Sequence, residues 1–305
     1  SKIDEEILSS IIQNPTDQPV FAQLIGENIA DLKRTVQDFK KYPIAGIDLN
    51  LGCPAPRVFR KNVGGGLLRF PEQINEILKM LRGEVDSLLT VKMRIGFEDD
   101  RFFDELMNIM IESSIDLLSL HARTVLGGYR SMPSYSHVTQ ASDFLNCPVL
   151  LNGNVTSYRS AVDLKELTGA HGVMIGRSAI RNPWIFRQIR EFQKGSSIFM
   201  PTLADVFQYI VDLYDSLEKP DVDERKNVGR MKKFLNFVGL SVDSAGKFLH
   251  QMRRAQTKRE LFLVCTKYLL NNGRSEVLFN PEPFDGLVAR PSSDSSYSNC
   301  SLTLK

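Results

Sequence analysis

No apolar run in this sequence is long enough to span a bilayer, and its first residues, SKIDEEILSS, do not form a signal peptide. The last stretch, from about Ser275, matches no lipidation or targeting signal. A membrane role is therefore not expected. Only four cysteines occur, Cys53, Cys147, Cys265 and Cys300, and no two form a Cys-x-x-Cys. That spacing argues against a zinc site and a disulfide framework, so no metal is expected, and it suits a reducing compartment such as the cytoplasm. A G-x-G-x-x-G is also missing, which removes the doubly wound dinucleotide-binding half. The net charge is only +2, but that average hides a local excess of cations near the C-terminus.

What is present is alternation. The 305 residues, 42% hydrophobic and 24% charged, can bury one large core or two smaller ones. Short apolar runs at Pro19–Leu24, Ile44–Leu49, Leu88–Met93, Ile115–Leu120, Pro148–Leu151 and Gly172–Ile175 predict buried strands. Between them lie segments of helical period, such as Ile29, Leu32, Val36 and Phe39. Strand–helix alternation with polar strand ends predicts a (β/α) barrel of the TIM type. Only six strands are visible where such a barrel closes with eight, so the barrel is expected to be incomplete at its N-terminus. Open edges at the first and last strands would weaken cofactor retention and stability, whereas a complete barrel would be a monomer. Residues 1–194 are assigned to this catalytic domain, 195–201 to a linker, 202–274 to an all-helical domain and 275–305 to a disordered Ser/Pro/Asp-rich tail.

The polar strand ends carry the candidate chemistry. Ile44–Leu49, containing Asp48, runs into Asn50, Gly52, Cys53 and Pro54, then a basic stretch and Gly64–Gly65–Gly66. Cys53 is read either as a packed thiol or as a reactive one; with an ordinary pKa of about 8.5 it would be mostly protonated at neutral pH, able to donate a proton as well as to attack. Lys92 lies inside a strand, where an ammonium is expensive to bury without a negative partner. It could face a cofactor ring or phosphate, serve as a Schiff-base lysine, or lie on an edge. Gln23 is a milder case, open to a ligand's amide edge. His121, followed by Arg123, stands at another strand end, as a site group or a satisfied imidazole. Arg94 ends the strand of Lys92; with Asn50 and Arg123 it is an expected substrate contact. Asn152–Gly153–Asn154 and Gly176–Arg177 follow the last two strands, the usual place for a phosphate in a barrel.

The C-terminal imbalance is steep. From Arg225 to Arg259 there are ten Lys or Arg against one acid, Asp243. Lys226, Arg230 and Lys233 fall on one helical face, opposite Val228, Met231, Leu235 and Val238. Such a run is either a solvated face or an electrostatic footprint for nucleic acid.

The segments NLGCPAPRVFRKNVGGGLL, VKMRIG, LHART, LLNGNV and MIGRSAIRNPWIF, in that order, resemble the motifs of the tRNA-dihydrouridine synthase family. The resemblance covers about Pro19 to Arg190, and the C-terminal helices look like that family's tRNA-binding domain. It implies a flavoprotein that binds FMN on a TIM-type barrel and reduces uridine in tRNA, with NADPH as reductant. Carried over, Cys53 would protonate uracil C5. Gln23, Lys92 and His121 would contact the isoalloxazine, and Asn152, Gly153, Asn154, Gly176 and Arg177 would hold the phosphate. The family's Asn-Gly-Asp is Asn-Gly-Asn here. Two other readings remain: an FMN barrel oxidoreductase of the dihydroorotate dehydrogenase type, and a tRNA-binding fragment with impaired catalysis. A flavin absorption band separates the enzymes from the last.

Overall fold

All six apolar runs form strands. The computed structural model describes residues 3–14 and 16–289. By its internal contacts the chain divides into two units, Ser1–Asn154 with Leu164–Met174, and Val155–Asp163 with Ile175–Lys305.

The first unit begins with α1 (Glu5–Ile12), capped by the Asp4 carboxylate, a helix the sequence reading did not assign. There follow β1 (Phe21–Leu24), α2 (Ile29–Phe39), β2 (Gly46–Leu51), the single turn α3 (Pro56–Phe59) and a 3-10 segment, Gly64–Arg69. Then come α4 (Pro71–Glu84), β3 (Leu88–Arg94), α5 (Phe103–Glu112), β4 (Leu117–His121), α6 (Tyr135–Phe144), β5 (Val149–Asn152), α7 (Tyr158–Thr168, its first residues in the second unit) and β6 (Gly172–Met174). The six strands make one parallel sheet in chain order. Parallel neighbours joined by helical crossovers are the arrangement of a (β/α) barrel. Among the described residues β1 and β6 are the two edges of the sheet.

Register decides which side chains share a face, because successive residues of a strand point to opposite sides. Leu49, Val91, Leu118 and Val149 lie abreast, as do Leu51, Met93, Leu120 and Leu151, and all eight are 0% exposed. Each such burial contributes roughly 1.5–3 kcal/mol. The alternate rows are polar. Gln23 is level with Asp48 and Thr90; Asn50 with Lys92 and Ser119; Arg94 with His121 and Asn152. One face of the sheet is therefore sealed hydrocarbon, and the other collects the polar residues of five strands.

The second unit holds α8 (Arg177–Arg181), α9 (Ile185–Gln193), α10 (Leu203–Leu217), α11 (Glu224–Val238), α12 (Lys247–Arg254) and α13 (Lys258–Leu269). Thr202 and Asp205 form a reciprocal capping box at the start of α10, and Asp223 caps α11. The stripe Val228, Met231, Leu235 and Val238 is 0% exposed, at the centre of this unit's core.

The expected linker, 195–201, is tied down at its end: Phe199 donates its N–H to Glu191 and accepts from Gln188, and Pro201 accepts the Phe279 N–H at 2.7 Å. One expectation about boundaries needs correction. Residues 275–289 are not disordered. Phe279 is 1% exposed, the Leu203 N–H reaches Val277 O at 2.8 Å, and Ser241 and Arg253 bond the carbonyls of Glu282 and Val288. The Ser/Pro/Asp composition of the whole tail masked Val277, Phe279, Phe284 and Leu287, which are apolar enough to pack. The rest of the expected tail, 290–305, lies outside the described residues. No helix among the described residues is long and apolar enough to cross a membrane.

Candidate active site

Cys53 sits half-buried just beyond β2, on a loop held from three sides. The side-chain oxygen of Asn50 accepts the backbone N–H groups of Gly52 and Cys53, both at 3.0 Å. Arg94 Nε donates to Gly52 O at 3.0 Å. The Gly65 N–H donates to Cys53 O at 3.3 Å. The triple glycine is the seat of this loop. A Cβ on Gly64 would lie 3.1 Å from Cys53 Cβ, and one on Gly65 only 2.6 Å from Val125 Cγ2 and 2.9 Å from Cys53 O. Arg69 anchors the segment in between, bonding Asn62 Oδ1 at 2.7 Å and stacking 4.2 Å over the Phe97 ring.

The polar face runs a continuous hydrogen-bond relay. Thr90 Oγ1 donates to Asp48 Oδ1 at 2.7 Å, Gln23 Nε2 donates to Asp48 Oδ2 at 2.7 Å, and Asn50 Nδ2 donates to Gln23 Oε1 at 2.9 Å. Burial raises the pKa of Asp48 above its ordinary 3.8, against the pull of Gln23, Thr90 and Lys92. Sequence alone marks Asp48 without assigning it a role and does not mark Thr90. Their signal was the period of two that puts them level with Gln23.

Lys92 belongs to this face, not to the apolar side of Val91 and Met93. Burial and the neighbouring Arg94 lower its pKa, while Asp48 and Cys53 pull it back. Its ammonium has no hydrogen-bond or ion-pair partner among the described residues. A half-buried cation in that condition is receptive to an anion.

Arg94 and Arg123, expected as substrate contacts, lie deep in the strand ends. They are 1% and 3% exposed. Arg94 ties Gly52 O to Thr124 O, the latter at 2.9 Å. Arg123 donates to Ser131 O at 2.7 Å and to Asn154 Oδ1 at 3.0 Å. Both are braces between strand-end loops, since a guanidinium has several donors in a fixed fork. Arg123 Nη1 also lies 3.4 Å from His121 Nε2. A guanidinium nitrogen only donates, so at this contact the ring nitrogen could serve only as acceptor.

At the end of β5, Asn152 Nδ2 donates to Met174 O at 2.7 Å. Gly153 has φ +127° and its carbonyl accepts from the Tyr135 hydroxyl at 3.2 Å. Asn154 has φ +51°, a left-handed conformation that Asn tolerates, so Asn-Gly-Asn here costs neither the turn nor the bond to Arg123. Gly176 and Arg177 begin α8 in the second unit.

On α11, Lys226 and Lys233 are exposed and Arg230 is half-buried, with Nη1 buried and unpartnered. The count of ten cations overstates the free charge. Lys232 donates to Arg253 O, Arg253 to Asn236 and to the 288–289 carbonyls, and Lys258 pairs with Asp215 and Glu218. Asp215 lies on α10 and Glu218 at its C-terminal cap, both outside the stretch Arg225–Arg259.

A family model described as Dihydrouridine synthase (Dus) matches residues 4–265. A tRNA-dihydrouridine(16) synthase of Neisseria meningitidis serogroup B is 29% identical over 252 residues, 82% of this chain and 76% of that protein. A tRNA-dihydrouridine synthase B of Pasteurella multocida is 30% identical over 68% of this chain and 64% of its own length. One from Shewanella oneidensis, also a tRNA-dihydrouridine(16) synthase, is 28% identical over 86% of this chain and 82% of its own. Among solved structures, an N-acetylneuraminate lyase from Mycoplasma synoviae matches with a TM-score of 0.43 at 15% identity, over 83% of this chain and 97% of that one.

Proposed function

The chain belongs to the dihydrouridine synthase family, and from that premise we propose that it reduces uridine to 5,6-dihydrouridine in tRNA, with FMN as its flavin and NADPH as electron source. The observation that carries this reading is the pairing of a gripped, half-buried Cys53 with the unpartnered ammonium of Lys92 at the end of the polar face. Such a cation fits the electron-rich edge of a flavin. Bound FMN would supply the hydride that goes to uracil C6, and its reduced, anionic ring would be favoured beside Lys92.

The chain's own groups do the remainder. Gln23, Lys92 and His121 would hold the isoalloxazine. Asn152, Gly153 and Asn154 would hold the phosphate, and the resemblance gives Gly176 and Arg177 the same task. Cys53 would donate its Sγ proton to uracil C5 from the face opposite the hydride, a role for which a neutral thiol suits a base-binding pocket. Asn50 would orient the uracil with the side of its amide nitrogen, since its oxygen is occupied by Gly52 and Cys53. A uridine inside folded tRNA must leave its stack to reach such a site. Lys226, Arg230 and Lys233 would bind phosphates of the tRNA, and the work would take place in the cytoplasm.

Purified protein should be yellow, and tRNA oxidising the prereduced protein in a single turnover tests the chemistry. Cys53→Ala should slow that oxidation by orders of magnitude and leave flavin content unchanged. An unaltered rate would remove Cys53 from the mechanism, and a colourless protein that still binds tRNA would end the reading as an enzyme.

A further inference from the structure

The relay on the polar face has a direction, and the direction must be set somewhere. A carboxamide presents oxygen on one side and NH2 on the other, with nearly the same shape, so only its partners decide which way it points. Asn50 Oδ1 takes two backbone N–H groups at 3.0 Å, which turns Nδ2 toward Gln23. Gln23 must then offer Oε1 to Asn50 at 2.9 Å, which turns its own Nε2 away, toward Asp48. The chain of amides ends there on Asp48 Oδ2 at 2.7 Å. A carboxylate accepts at both oxygens and cannot donate.

We propose that Asp48 is the positioning residue of this site: its carboxylate fixes the amide orientation of Gln23, and through it the orientation of Asn50 and the conformation of the Cys53 loop. Reversing Gln23 would set its NH2 against the NH2 of Asn50. Asn50 would then have to reverse as well, and the N–H groups of Gly52 and Cys53 would lose their acceptor. Asp48 lies four and five residues before Gly52 and Cys53, the two N–H partners of Asn50, and bonds neither; it acts through two intervening side chains. Thr90 completes the device. Its hydroxyl donates to Asp48 Oδ1 at 2.7 Å, but a hydroxyl can also accept. A neutral amide at position 48 could therefore keep its oxygen toward Gln23 and turn its NH2 to Thr90. The carboxylate's acceptor geometry at Gln23 is what counts, not its charge. The consequence for catalysis rests on the reading of Cys53 as the acid, whereas the positioning itself does not.

The test is hydrogen exchange at the Gly52 and Cys53 amides in the full chain, read alongside the melting temperature. Asp48→Leu should speed exchange at these two amides by roughly tenfold, the equivalent of one lost hydrogen bond. Asp48→Asn should leave it near that of the parent. Gln23→Glu faces one carboxylate with another and should also speed exchange. Combined with Asp48→Asn it exchanges the carboxylate and the amide between the two positions, keeps the acceptor toward Asn50, and should restore protection. That rescue separates orientation from packing, because a residue that merely fills space would make the two changes additive. Should Asp48→Leu fail to fold, the Gln23→Glu pair decides alone. Fast exchange in the double variant, or unchanged exchange in Asp48→Leu, overturns the proposal; retained protection with no uridine reduction by the parent overturns only the function.

Discussion

The side-chain oxygen of Asn50 lies 3.0 Å from the backbone nitrogen of Cys53, three residues on, and 3.0 Å from that of Gly52. One acceptor thus closes the turn by which β2 hands the chain to the thiol. Asn50→Ala removes it and leaves two N–H groups to water. The expected result is a stability loss of about 1–2 kcal/mol with a fall in kcat greater than any rise in KM, since the thiol rather than the binding surface is displaced. Equal loss in kcat and stability-matched control variants would refute a specific role.

Lys92 should be felt in flavin affinity and in the reduced state. Lys92→Met keeps the stem and deletes the ammonium that burial already disfavours. Flavin content after dialysis should fall, and the reduced protein should be reoxidised by tRNA more slowly. If both are as in the parent, the ammonium faces neither flavin nor substrate.

Neutralising Lys226, Arg230 and Lys233 together should weaken tRNA binding and flatten its salt dependence, by about 0.7–0.9 log–log units for each lost phosphate contact. The measurement is binding over a range of ionic strength. Lys258→Gln is the control, because Lys258 already pairs with Asp215 and Glu218 and should change the slope little.

Asp48 should leave a signature in the pH dependence of stability. Its folded pKa is raised above 3.8, chiefly by burial. A raised folded value means that the folded state holds the proton more tightly, so the contribution to stability is complete below about 3.8 and is lost as pH rises through the folded value. Asp48→Asn does not titrate. Thermal unfolding should show the variant gaining on the parent as pH climbs from about 4 toward neutrality, and a constant difference over that range would count against it.

The six strands, their chain order and the residues at their ends were legible along the chain, because a buried parallel strand requires an apolar run and a break that Gly, Pro and Asn make visible. So was the buried stripe of α11, whose period of 3.6 is local. Tertiary structure decided what each polar residue does. Arg94 and Arg123 carry the same charge as Lys92 and stand at neighbouring strand ends, yet carbonyls from distant loops claim their donors and leave the ammonium alone. Asp48 became part of the site only when pairing set it between Gln23 and Thr90, 25 residues before it and 42 after it in the chain. Gly64–Gly66 read as a loop and proved to be the close-packed seat of Cys53. Periodicity is written between neighbours in sequence, whereas the choice of partner for a hydrogen-bonding group is made by whatever the fold brings within 3 Å.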